Sequence, residues 1–224
     1  LICVPTGNGK TLPAEFAIQY FNGMDVSKTK RRKVIYTSPI KALSNQKFYE
    51  FTQKYPHISF GILTGDIKTN PEADVLIMTS EILLNQMYYN NSLNKNPDII
   101  SSISFTIDIE KDVGCVIMDE VHYINDKDRG HVWEETIMIL PQQIQMVMLS
   151  ATLDTPKKFA LWCETRHNTS KEVYLATETI RNVPLTHYSF ITTNNGIFKA
   201  IKDKSQQDEI RSLTNKPFVI QSSK

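Results

Sequence analysis

The chain has 224 residues, 41% hydrophobic and 22% charged, enough apolar material to bury a core in one large domain or a domain with an attached piece. A net charge of +1 excludes a globally basic nucleic-acid binder, so any such surface must be local. No apolar stretch approaches the ~20 residues of a membrane-spanning helix, and no membrane partner is expected. The three cysteines, Cys3, Cys115 and Cys163, lack metal spacing. They read as buried thiols of a reducing, intracellular compartment, nucleus or cytoplasm, rather than as disulfides or zinc ligands.

Leu1-Ile2-Cys3-Val4 reads as a short strand already under way. It lacks the charged start and long apolar centre of a signal peptide, and no initiator methionine precedes it. The expectation is a piece of a longer chain, cut just before its first motif. Pro5, Thr6, Gly7, Asn8, Gly9, Lys10 and Thr11 follow, then an amphipathic helix through Ala14, Phe16, Ala17, Ile18 and Phe21. Strand, glycine loop, Lys-Thr and helix make a phosphate-binding arrangement: glycines let backbone N–H groups turn inward, and the helix N-terminus adds its positive end. Lys10 would reach terminal phosphates and Thr11 would ligate Mg²⁺. The strict pattern has glycine where Val4 stands, so the motif is a variant, and a glycine-rich turn that merely precedes a helix is its alternative. Pro13 lies in the first helical turn, where proline is tolerated.

Residues 28–33 form a basic turn, read as solvated rather than as a binding patch. Strands are predicted at 34–37, 59–63 and 75–78, and helices at 40–54 and 81–89, with Ser80 as a cap for the second. The repeat of strand, loop and helix predicts an α/β fold with a mostly parallel, doubly wound sheet and ligands at the strands' C-terminal ends. Residues 90–114 break the rhythm. A polar loop carrying Asn90, Asn91, Asn94, Asn96 and Pro97 leads into Ile103, Phe105, Ile107 and Ile109, which alternate with Ser104, Thr106 and Asp108. Period two is a half-buried strand, so this stretch reads as an insertion, a hairpin on the sheet's edge without chemistry.

Val116-Ile117-Met118 then runs straight into Asp119-Glu120-Val121-His122. A buried strand ending in acid delivers charge to the edge of a sheet. Asp119 would hold Mg²⁺, and Glu120 would orient or deprotonate an attacking water, the minimum for nucleotide hydrolysis beside a phosphate loop. Adjacent side chains on an extended strand point to opposite faces, so both can serve one site only if the chain turns there. His122 could bond the nucleotide side or the Ser150-Ala151-Thr152 loop. Downstream, a helix is predicted at 133–140, a strand at 146–149 ending in Ser150-Ala151-Thr152, a helix at 156–163, a last strand at 173–175 and a further strand start at 218–220. His57, His131, His167 and His187 show no metal spacing.

These motifs, in this order, resemble the first RecA-like domain of a DExH-box helicase of superfamily two, most closely the superkiller type of RNA helicase that feeds the exosome. Residues 5–11 resemble its motif I. Residues 36–47 resemble motif Ia in that subfamily's wording, Leu63-Thr64-Gly65-Asp66 the next segment, and Met78-Thr79-Ser80-Glu81-Ile82-Leu83 motif Ib. Asp119-Glu120-Val121-His122-Tyr123 resembles motif II, extended by Arg129-Gly130 and Trp133-Glu134-Glu135-Thr136, and Ser150-Ala151-Thr152 resembles motif III. The resemblance implies a RecA-like P-loop NTPase fold over residues 1–180 and a connection toward a second RecA-like domain over 181–224. It implies ATP and Mg²⁺ as ligands, with Glu120 as base, Asp119 and Thr11 on the metal, and Lys10 and His122 beside them. Ser150, Ala151 and Thr152 would couple hydrolysis to grip, and Pro39, Lys41, Gly65 and Thr79 would line the path of a single strand. The expected partners are single-stranded nucleic acid, RNA in preference to DNA, and an RNA-decay complex of exosome type. The motifs of the second RecA-like domain, with the arginines that complete the ATP site, are not in this sequence, so weak turnover is expected of the chain alone. The alternatives are a DNA helicase or translocase, and a nucleic-acid-binding scaffold with an inactive ATP site.

Overall fold

A computed structural model describes residues 1–23, 33–95, 107–151, 153–165, 172–184, 188–190 and 197–199. They fall into two compact units, Leu1–Ile180 and Arg181–Lys224. The first unit is built on one sheet. Its strands in chain order are β1 (Ile2–Cys3), β2 (Lys33–Ser38), β3 (Phe60–Leu63), β4 (Lys68–Thr69), β5 (Val75–Thr79), β6 (Val113–Met118), β7 (Gln145–Ser150) and β8 (Ala176–Thr177). The helices are α1 (Leu12–Asn22), α2 (Lys41–Lys54), α3 (Ser80–Lys95), α4 (Ile109–Asp112), α5 (Gly130–Ile139) and α6 (Pro156–Thr165), with a 3-10 turn at Val121–Asn125.

Across the sheet the order is β4-β3-β5-β2-β6-β7-β1-β8. Every pairing is parallel except that of β3 with β4. Parallel neighbours need crossovers, and helices supply them on both faces. The strands show why. In β2, Val34 and Tyr36 join a core with Ala14 and Ile18 of α1 and Phe51 of α2, while Ile35 joins the opposite core with Leu83, Trp133 and Ile137. β5 and β6 alternate the same way: Val75, Ile77, Cys115 and Ile117 face α1 and α2, and Leu76, Met78, Val116 and Met118 face α3 and α5. Both faces of the central strands are therefore apolar, which is why the sequence reads there as continuous hydrophobic runs. All three cysteines are free and buried, as expected. Among the described residues no helix is long and apolar enough to cross a membrane.

The expected architecture holds, with local corrections. α3 runs on to Lys95, through asparagines that read as a loop. One reason is tertiary: the Asn90 side-chain amide donates to the Ile107 carbonyl at 2.8 Å, a bond that offsets asparagine's poor helix propensity. Ile107 and Ile109 are buried, as their alternation suggested, but Ile109 opens α4 instead of continuing a strand. The Asp108 carboxylate accepts from the Lys111 N–H at 3.1 Å, a helix cap that an alternation count does not detect. The rest of the proposed insertion, residues 96–106, lies outside the described residues, as do 24–32 and 218–220. Ser80 does not cap α3: it is the helix's first residue, and its hydroxyl is buried without a hydrogen-bond partner. The last strand is β8, one residue beyond the 173–175 prediction, because the Val173 N–H is taken by the Glu164 carboxylate at 2.8 Å. β4 was not predicted, and it fits only because Gly61 has no side chain: a Cβ there would lie 2.1 Å from the Asn70 carbonyl oxygen. In the second unit the described residues form a hairpin, β9 (Tyr188–Phe190) antiparallel to β10 (Ile197–Lys199).

Candidate functional site

The C-terminal ends of β1, β6 and β7 are neighbours in the sheet, and the loops that leave them carry the candidate site residues. After β1, the Val4 N–H donates to the Ser150 carbonyl at 3.1 Å, which seats the glycine loop against the end of β7. Gly7 and Gly9 both have positive φ, +91° and +74°, with open space where a side chain would stand. Only glycine takes such angles without strain, and the result is a loop whose backbone is accessible to an anion. Pro13 sits in the first turn of α1, as predicted, where its missing N–H has no intrahelical partner to lose.

After β6, the Asp119 N–H still follows the sheet and donates to the Thr37 carbonyl at 3.0 Å. The chain then turns sharply. Glu120 adopts the left-handed conformation, φ 54° and ψ 46°, at a cost on the order of 1–2 kcal/mol for a residue with a side chain. That strain is what lets two consecutive carboxylates serve one place. Glu120 reaches the glycine loop, its Oε2 lying 2.5 Å from Lys10 Nζ, in a pair whose side chains are 24% and 10% exposed. Asp119 points inward. Its Oδ2 accepts from the Tyr36 hydroxyl at 2.5 Å, and its Oδ1 accepts from the Glu120 N–H at 2.9 Å. Burial pushes the Asp119 carboxyl above its ordinary range, opposed by the Tyr36 hydrogen bond and assisted by repulsion from Glu120. The same burial, with Asp119 alongside, pushes Tyr36 well above the usual phenol value, so its hydroxyl is a fixed donor.

His122 bridges the third loop. Its Nδ1 accepts from the Ala151 N–H at 3.4 Å and lies 3.3 Å from Glu120 Oε2. Burial lowers its pKa below the ordinary 6.5 despite the Glu120 charge, which keeps Nδ1 free as an acceptor. Ser150 closes β7 and is fully buried, its hydroxyl without a hydrogen-bond partner, and Thr152 lies outside the described residues. The structure thus brings Lys10, Asp119, Glu120, His122 and Ala151 together at the glycine loop, with Thr11 next to Lys10 in the chain.

A family model described as DEAD/DEAH box helicase matches residues 1–159. The chain belongs to the DEAD/DEAH box helicase family. It is similar to the antiviral helicase SKI2 of Saccharomyces cerevisiae, 41% identical over 82% of this chain and 12% of that protein. It is 37% identical to the ATP-dependent RNA helicase mtr4 of Schizosaccharomyces pombe over 92% of this chain and 16% of that one. Superkiller complex protein 2 of Homo sapiens is 39% identical over 84% of this chain and 13% of its own length. The chain therefore spans only about an eighth to a sixth of the curated relatives it matches. Among solved structures, Mycobacterium smegmatis helicase Lhr bound to single-stranded DNA and AMP-PNP superposes with a TM-score of 0.51 at 24% identity, over 80% of this chain and 23% of that one, a likeness of fold.

In this helicase-family chain, the residues expected along a nucleic-acid path divide into two kinds. Lys41 and Gly65 are exposed and adjacent, a Cβ on Gly65 lying 3.3 Å from Lys41 Nζ, and Lys41 pairs with Asp66. Pro39 and Thr79 are buried. Two residues of the site and one beside it carry contacts that the sequence does not announce. Tyr36 holds Asp119. Lys47 of α2 donates to the Thr11 hydroxyl at 3.3 Å while pairing with Glu50 at 3.0 Å. Arg129 binds the Pro39 carbonyl and the Glu81 carboxylate. Tyr36 left a faint sign, as a hydroxyl-bearing ring in the middle of an apolar strand, since buried tyrosines find a partner for that hydroxyl. Lys47 and Arg129 were legible only as parts of the motif Ia and motif II resemblances, not through these contacts, whose partners are 36 and 48 or more residues away.

Proposed function

We propose that this chain is the ATP-binding part of an ATP-dependent RNA helicase of the superkiller type, with residues 1–180 as the first RecA-like domain and 181–224 leading toward a second. The observation that carries the reading is the 2.5 Å contact between Lys10 of the glycine loop and Glu120. It puts a phosphate-binding ammonium and a base in one place, on the loops after β1 and β6. Phosphate oxygens compete for Lys10, and Glu120, released from it, positions the attacking water and takes its proton.

The donor set fits Mg²⁺. Among the described residues no group of three or more His, Cys, Asp or Glu gathers to hold a metal. A hydroxyl, Thr11, and a single carboxylate, Asp119, are what an ion needs that keeps its waters and takes phosphate oxygens. Bound there, Mg²⁺ supplies charge neutralisation at the transferring phosphoryl. His122, held neutral, accepts from Ala151 and so links the carboxylate pair to the end of β7. RNA is favoured over DNA because similar proteins carry the names ATP-dependent RNA helicase and superkiller complex protein. Those names also suggest an RNA-decay complex as partner. Exposed Lys41 and Gly65 offer a cation and a bare backbone to a phosphate chain.

The test is Glu120→Gln in the full-length protein. ATP binding should persist within about threefold while turnover stimulated by single-stranded RNA falls by about 10³-fold, the scale of losing a positioned base. Equal turnover in variant and wild type would remove Glu120 from the chemistry. Stimulation by single-stranded DNA but not RNA would move the protein to the translocase reading, and a wild type without turnover would make it a scaffold.

A further inference from the structure

Arg129 stands just beyond the 3-10 turn that carries His122, and no step of the ATP chemistry uses it. Its guanidinium gathers three chain segments. Nε donates to Glu81 Oε1 at 2.9 Å, one terminal nitrogen donates to the same carboxylate and to the Pro39 carbonyl, and the group lies 5.7 Å over the Trp133 ring. Pro39 lies two residues before Lys41, and Glu81 two residues after Thr79. One side chain thus ties the turn after β2 to the start of α3, where the proposed path for a nucleic-acid strand lies.

The other end of this side chain is held as firmly. Asp126 Oδ1 accepts from the backbone N–H groups of Arg129 at 2.9 Å and Asp128 at 3.0 Å, and these bonds hold its carboxyl below the usual range. The next residue must be glycine, since a Cβ at Gly130 would lie 2.2 Å from the Ile124 carbonyl oxygen. Beneath the guanidinium, fully buried Trp133 stacks on Tyr123 at 5.8 Å, and Tyr123 meets His122 at 5.4 Å. A continuous packed line therefore runs from the histidine beside the catalytic pair to Arg129, and from Arg129 to Pro39 and Glu81.

We propose that Arg129 is a positioning residue that fixes the two nucleic-acid-path segments, at Pro39 and Glu81, against the turn that follows Asp119 and Glu120. Stability alone does not account for the arrangement. Arg129 and Glu81 are 37% and 36% exposed, and ion pairs at that exposure contribute little to stability. What the fork supplies is geometry, with several donors at fixed angles to a carboxylate and a carbonyl, which a lysine ammonium cannot reproduce. The inference rests on the helicase reading above, because it needs a strand on that path.

The experiment compares wild type, Arg129→Ala and Arg129→Lys in the full-length protein. ATP turnover is titrated with single-stranded RNA, and RNA binding is followed by fluorescence anisotropy with a non-hydrolysable ATP analogue present. Arg129→Ala should raise the RNA concentration for half-maximal stimulation about fivefold, the upper end of what a contact at this exposure can hold in place. RNA-free turnover and the KM for ATP should stay within about twofold, and Arg129→Lys should recover part of the loss. Unchanged RNA dependence in Arg129→Ala, with a wild type that is stimulated, overturns this inference and leaves the helicase reading intact. So does a parallel fall in RNA-free turnover and melting temperature, which marks a merely structural role. A wild type that neither binds RNA nor responds to it overturns both.

Discussion

Tyr36→Phe isolates one hydroxyl in the centre of the site. Tyr36 is fully buried, and its ring meets Phe51 edge-on at 5.5 Å, so phenylalanine keeps the packing and removes only the bond to Asp119. The acceptor left behind is a carboxylate that is itself 7% exposed. A hydrogen bond to a charged group contributes about 1.5–3 kcal/mol, and a buried acceptor stripped of its partner forfeits at least that. At ~2–4 °C per kcal/mol for a chain of this size, the melting temperature should fall by roughly 4–10 °C at neutral pH. The pH dependence is the sharper signature. The Tyr36 bond lowers the Asp119 pKa against the upward push of burial, so its removal lifts the folded-state value further above the ordinary 3.8. A carboxyl whose folded pKa is raised is a destabilising anion above that pKa and regains stability as it protonates. The gap between variant and wild type should therefore narrow on acidification. Thermal unfolding of both proteins by circular dichroism, from neutral pH down through the acid range, measures it. Equal stability at neutral pH, or a gap that does not change with pH, would refute the role assigned to the Tyr36–Asp119 bond.

Gly61→Ala should destabilise the first unit by about 1–3 kcal/mol or more, because its Cβ meets a backbone carbonyl that can move only if the β3–β4 pairing opens; chemical denaturation reads it directly. His122→Gln should flatten the pH dependence of stability in the mildly acidic range. The folded His122 has its pKa lowered, so the unfolded chain takes up the proton first and wild-type stability is lost as pH falls through about 6.5. Melting curves of the two proteins at successive pH values should converge in slope above that range and part below it.

Much of the fold was legible in the residues because its core is two-sided. The runs in β5 and β6 are apolar at nearly every position and β2 is apolar at its centre, and each ends in a hydroxyl or an acid, so strand and candidate edge are announced together. The glycine loop was legible for a similar reason, since positive φ at Gly7 and Gly9 needs that residue type. Where the reading failed, a tertiary bond had overruled a local pattern. Asn90 stays helical while bonded to Ile107, and Asp108 turns an alternating stretch into a helix start. The site shows the same division. Lys10, Asp119 and Glu120 could be named from spacing, and the need for a turn after Asp119 could be read too, but not its left-handed form at Glu120, where the sequence offers neither glycine nor asparagine. Tyr36 and Lys47, which hold Asp119 and Thr11, and Arg129, which binds Pro39 and Glu81, have partners distant in the chain.

β1 has two residues, and both of its neighbours come from far along the chain: Ile2 pairs with Leu149 on one side and with Ala176 on the other. On a ribosome, the segment that bears the glycine loop is made before both strands that flank it. Neither flanking strand exists until residues 145–150 have been synthesised, and both exist only after residue 177. Long-range pairing of this kind is slow and comes late. The glycine loop is therefore among the last parts of the first unit to take shape during synthesis, and a nascent chain seats it only when nearly the whole sheet is in place.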